Sequence, residues 1–198
     1  MLVTFQRTGR RQYRVEVRRP PFAAVEMDPA PGYDDLIPHD MMHLVVESQL
    51  GLERGIFGQL AAGGGTFRAV PDASKSTRDV ARQRRRLSER GKKMMRDSRA
   101  ECEQSEAAVW ICWNEWRARS ESKPTSIESK PTSIESKLTS IESKPKPKRP
   151  GSPAFSEHKL EQIFHHLDEL SLYWSRLNVG ESMTVQWPDL SVSSDDNQ

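Results

Sequence analysis

His39-Asp40-Met41-Met42-His43 sets two imidazoles four residues apart. On a helix that spacing puts both rings on one face, within reach of a single ion, as in helical H-E-x-x-H zinc sites. Asp40 stands where such sites carry glutamate, one methylene shorter, and is the candidate general base. Two imidazoles and a carboxylate point to Zn2+, and the matching chemistry is hydrolysis by a metal-activated water. A third ligand is needed. Glu47 continues the row, yet eight residues of straight helix span roughly 12 Å, which strains three-point binding. Glu53 beyond the helix end, or Asp34 and Asp35 in the preceding loop, folds back more easily. In the competing reading there is no metal: Asp40 complements the helix N-terminus, and the histidines donate to backbone or carboxylate groups.

The helix that carries these residues is expected over about Pro38 to Leu50. Proline suits its first turn and Gly51 its end. Met41, Met42, Leu44, Val45, Val46 and Leu50 make it apolar on nearly every side, the pattern of a buried helix. Histidines on such a helix must find partners, and a metal is one. The remaining histidines belong to a second helix starting at Ser156, whose core stripe is Leu160, Ile163, Phe164, Leu167, Leu170, Trp174 and Leu177. At 100° per residue His158 and His165 face away from that stripe, and His166 lies at its margin.

A second chemistry is electrostatic. Lys75 to Arg99 holds eleven basic residues against three acidic ones, whereas residues 151–198 hold two basic and eight acidic. A basic helix led by Arg82, Arg84, Arg85 and Arg86 is a candidate nucleic-acid-binding element. This makes a non-enzymatic binding protein, with a nucleic-acid or protein partner, the alternative function. The bland counterpart is a solvated helix pairing loosely with the acidic carboxyl-terminal part. The glycines from Gly51 to Gly65 form neither a P-loop nor a dinucleotide fingerprint, and no G-x-S-x-G elbow occurs.

Around these residues the periodicity predicts an α+β domain: a small antiparallel sheet packed against the buried helix, a long helix and the carboxyl-terminal helix. Val3 and Phe5, then Tyr13, Val15 and Val17, alternate with polar neighbours as half-buried strands do. A third strand is expected over Phe22 to Met27, a loop over Asp28 to Asp35, and a last strand at Met183, Val185 and Trp187. From Ser76 to about Arg119 a long helix is expected, with Gly91 a weak point and Ala107, Val109, Trp110, Cys112, Trp113 and Trp116 a core stripe.

Ser126-Ile127-Glu128-Ser129-Lys130-Pro131-Thr132 recurs from Ser133 and again from Ser140. One isoleucine per repeat gives no coiled-coil seam, and proline in most copies blocks helix. The expected organisation is therefore one domain from 1–119 and 151–190, a disordered heptapeptide-repeat linker over 120–150, and a disordered tail over 191–198. Hydrophobic residues make up only 35% of the chain, as such a segment requires. Two cysteines, Cys102 and Cys112, are no disulfide framework. With neither a signal-peptide run nor a membrane-length apolar segment, a cytoplasmic protein without a membrane partner is expected.

Pro29-Ala30-Pro31-Gly32-Tyr33-Asp34, Pro38-His39-Asp40-x-x-His43-x-x-Val46-Glu47 and Gly55-x-Phe57-Gly58-Gln59-Leu60-Ala61-Ala62-Gly63-Gly64 resemble the signature of a family of short bacterial proteins of unknown function. The resemblance covers about residues 1–70 and implies no activity. The H-D-x-x-H segment with a downstream glutamate is also similar to the proposed zinc motif of a ubiquinone-biosynthesis accessory protein, where the gap to the glutamate is longer than that from His43 to Glu53.

Overall fold

The computed structural model describes residues 1–70, 76–122 and 155–193. Among these, six strands form one antiparallel sheet. They are β1 (Leu2–Gly9), β2 (Gln12–Arg18), β3 (Val25–Ala30), β4 (Arg68–Ala69), β5 (Ser182–Gln186) and β6 (Val192–Ser193). Their order across the sheet is β4-β3-β2-β1-β5-β6, so the first strand lies between the second and the fifth. Alternation fixes the register: Val3 opposes Val17 and Val185, and Phe5 opposes Val15 and Met183. A one-residue slip would turn this apolar face to solvent.

Among the described residues five helices accompany the sheet: α1 (His39–Leu50), α2 (Ile56–Ala61), α3 (Thr77–Asp97), α4 (Arg99–Ser122) and α5 (Glu157–Arg176). Every residue of α1 from Asp40 to Glu47 is buried, as its all-round apolar sequence requires. It packs against α2, α4 and α5. Gly51 closes it in the left-handed conformation, φ 63°. Ser156 caps α5, accepting the Lys159 N–H at 3.2 Å. On α5, Ile163, Phe164, Leu167, Leu170 and Trp174 enter the core; His158 and His165 are exposed and His166 is half-buried. The α+β class and the buried helix are thus as the sequence pattern requires. No helix among the described residues is long and apolar enough to cross a membrane.

Several elements differ from expectation for local reasons. The third strand begins at Val25 rather than Phe22, because the Phe22 N–H closes a turn onto the Arg19 carbonyl at 2.8 Å. It then runs on to Ala30, inside the expected loop. The two-residue strand β6 lies in the segment expected to be a tail, with Val192 opposite Val185. The long helix is two helices, divided at Ser98 and not at Gly91; Gly91 is buried inside α3. Helix α4 passes the expected boundary and continues to Ser122. Its tryptophans divide: Trp116 joins Ala108, Val109 and Cys112 in the core, whereas Trp110 is 40% exposed. The heptapeptide repeat lies outside the described residues.

Candidate metal centre

His39 opens α1 directly after Pro38, and its N–H donates to the Gly32 carbonyl at 3.0 Å. Gly32 has φ +73°, and a Cβ there would stand 2.6 Å from the His39 Cβ. Only glycine lets this loop lie across the histidine. The loop is held from α5 and α4. Trp174 Nε1 donates to the Asp34 carbonyl at 3.0 Å, and the Asp34 carboxylate pairs with Arg117 at 3.2 Å. Tyr33 packs tilted on Trp174, ring centroids 6.1 Å apart, and the Arg7 guanidinium lies 4.9 Å from the Trp174 ring centroid.

One turn along, His43 is fully buried. Its Nδ1 lies 3.0 Å from Ser105 Oγ, and Ser105 Oγ donates to Glu47 Oε1 at 2.7 Å. The Glu47 carboxylate also accepts the backbone N–H groups of Ile56 and Phe57, each at 2.8 Å. These bonds fix the tautomer. The serine has spent its proton on Glu47, so it accepts from His43, and Nδ1 must carry the hydrogen. With the hydrogen on Nδ1, the neutral ring leaves His43 Nε2 a bare lone pair. It is buried, has no hydrogen-bond partner among the described residues, and lies 3.7 Å from Glu106 Oε1.

His39 completes the cluster, its ring centroid 4.7 Å from that of His43. One ligand atom from each of His39, His43 and Glu106 falls within 4.8 Å of the others. Ligands of one tetrahedral ion stand about 3.3 Å apart for bonds near 2.0 Å. His39 and Glu106 are exposed, so their side chains can close the difference by rotation. Burial pushes the His39 imidazole below its ordinary value, toward the neutral form a ligand needs. Beyond the cluster opens a cavity of about 350 Å³, walled by Tyr33, Trp110 and Trp113, with Asp34 at its rim.

The structure therefore brings together His39 and His43 and adds Glu106. Glu47 is committed to the α2 N-terminus and to Ser105, which corrects its expected place as a third ligand. Glu53 is exposed beyond α1 and outside the group. Asp40, expected as a base acting at the metal, instead faces Tyr13, whose hydroxyl lies 2.5 Å from Asp40 Oδ2. Burial raises the Asp40 carboxyl above the ordinary range. Arg82, Arg84, Arg85 and Arg86 are exposed on α3, and none of them lines this cavity.

Glu106 and Ser105 were not singled out by sequence. A signal existed: Glu106, Trp110 and Trp113 follow one another at i, i+4 and i+7, one face of α4. Assigning both tryptophans to the core hid the acid that shares their face. No protein-family model matches the chain, and neither a curated protein nor a solved structure matches it.

Proposed function

We propose that the protein binds a divalent transition metal, zinc in preference, through His39, His43 and Glu106, and that the site serves hydrolysis of a substrate whose apolar part enters the aromatic cavity. The observation that carries this reading is the bare, buried Nε2 of His43. A buried imidazole acceptor without a partner costs stability, and the Glu47–Ser105–His43 relay that creates it is how proteins orient a metal-ligating histidine. Three protein ligands beside an open cavity match catalytic sites, since structural zinc sites use four. The ion would act as Lewis acid and lower the pKa of bound water to about 7, so no separate base is needed to make the nucleophile. This fits an Asp40 turned toward Tyr13. Of the residues that resemble the short-protein signature, Gly32, His39, His43 and Glu47 contribute to this one corner.

Zinc titration of chelator-treated protein tests the proposal. One equivalent should bind at micromolar zinc or below, and affinity should decline as pH falls through about 6, where imidazoles take up protons. His43→Ala should abolish binding, and Glu106→Gln should weaken it strongly. Ser105→Ala should cost about 10–100-fold, the usual effect of removing a partner behind a ligand. Asp40→Asn should leave affinity unchanged. Folded protein that takes up no zinc, or Glu53→Gln matching Glu106→Gln, would overturn the assignment.

A further inference from the structure

Helix α3 touches the rest of the molecule along a narrow line. Its buried and half-buried positions are Val80, Gln83, Leu87, Gly91 and Met94, one residue per turn. On that line the Gly91 backbone lies against the Gly65 carbonyl, where a Cβ would collide. So thin a seam leaves the helix standing as a ridge with a cleft on either flank. One cleft, about 470 Å³, is lined by Arg82, Arg86 and Arg90, together with Phe22. The other, about 670 Å³, is lined by Arg84, Lys92 and Arg96 of α3 and by Arg68 of β4.

No acid among the described residues lines the larger cleft. The smaller has Asp79, which is tied to the cap of the helix through the Ser76 hydroxyl at 2.6 Å. Among the described residues Arg82, Arg84, Arg86, Lys92 and Arg96 make no ion pair, whereas Arg85 on the outer face is paired with Glu89 at 2.9 Å. The acidic α5 packs on α1 and α4. Unpaired cations held in rows along the two flanks of one helix repel one another, an arrangement that an anionic partner relieves.

We infer that α3 is a docking ridge for double-stranded nucleic acid, entering a groove so that the two phosphate backbones rest in the two clefts. A helix with side chains is about 10–12 Å across, the width of a DNA major groove. From Arg82 to Arg96 the cations extend over roughly 21 Å of helix, too far to converge on one small anion. Most are arginines, whose forked guanidinium suits phosphate oxygens. The contacts go to backbone phosphates, so binding is insensitive to base sequence.

Fluorescence anisotropy with a labelled DNA duplex tests this on the full chain, with the same single strand, inorganic tripolyphosphate, poly-glutamate and anionic vesicles as competitors. The duplex should bind at low salt and lose about 10³-fold between 50 and 200 mM salt, as six or so phosphate contacts require. Neutralising Arg82, Arg86 and Arg90 to Gln, or Arg84, Lys92 and Arg96 to Gln, should each flatten the log–log salt slope by about 2–3. These positions are exposed, and circular dichroism should confirm unchanged folding. Arg10→Gln with Arg176→Gln, away from the clefts, should leave the slope nearly as it was. The proposal fails if no duplex binds at low salt, or if the Arg10/Arg176 variant flattens the slope equally. It fails equally if single strand, tripolyphosphate, poly-glutamate or vesicles displace the duplex at matched charge.

Discussion

Tyr13 has one proton and two oxygens to satisfy: its hydroxyl lies 2.5 Å from both the Pro31 carbonyl and Asp40 Oδ2. Both short contacts are filled only when Asp40 carries a proton and donates to Tyr13, which then donates to Pro31. Burial, the larger influence on Asp40, drives its carboxyl in the same direction, upward. In the unfolded chain the carboxyl ionises near 4; in the folded chain it holds its proton to higher pH. Between those values the folded state binds more protons, so stability declines as pH rises through this window. Asp40→Asn supplies a permanent N–H donor in place of that proton. In urea denaturation from pH 4 to 8, the variant should match the parent at acid pH and surpass it toward pH 8. A parent that stays ahead at every pH would show that the ionised carboxylate is the stabilising form. The spacing of His39 and His43 was legible because both sit on one turn. Glu106 arrives from another helix, and pairing across helices leaves no local period to read.

Periodicity showed β1, β2, α1 and α5 because each is long enough to repeat its pattern several times. It could not show β4 or β6, which have two residues apiece. Helix propensity alone also misjudged Gly91, which a host–guest scale penalises by about 1 kcal/mol relative to alanine. Here the missing Cβ is what lets α3 reach the Gly65 carbonyl. Gly91→Ala should therefore strengthen the isolated helix and yet detach it. Because α3 buries little, global stability should change by about 1 kcal/mol or less, while limited trypsin cleavage within residues 82–96 accelerates more than tenfold. Slower cleavage in the variant would mean that propensity outweighs the contact.

At the scale of the molecule, α4 and α5 meet beside the connection that contains the repeats. Trp116 Nε1 donates to Asp168 Oδ1 at 2.8 Å, and the Arg119 guanidinium lies 4.7 Å from the Phe164 ring centroid. The ends of the connection are thus set by packing between the helices, and loop entropy changes by only about 0.6 kcal/mol per doubling of length. Removing residues 126–139 should shift the unfolding free energy by about 1 kcal/mol or less; a larger loss would mean that the repeats pack.

The placement of β5 between β1 and β6 has a consequence for how the chain can be divided. A cut in the repeat segment would leave one piece carrying β1–β4 with both histidines and Glu106, and another carrying α5, β5 and β6. The first piece would lack the Trp174 bond to the Asp34 carbonyl that holds the loop over His39. It would also expose the β1 edge that β5 covers. The two pieces should behave as the halves of a split protein. They would recombine through the β1–β5 ladder and the apolar face of α5, and restored metal uptake would report their reunion.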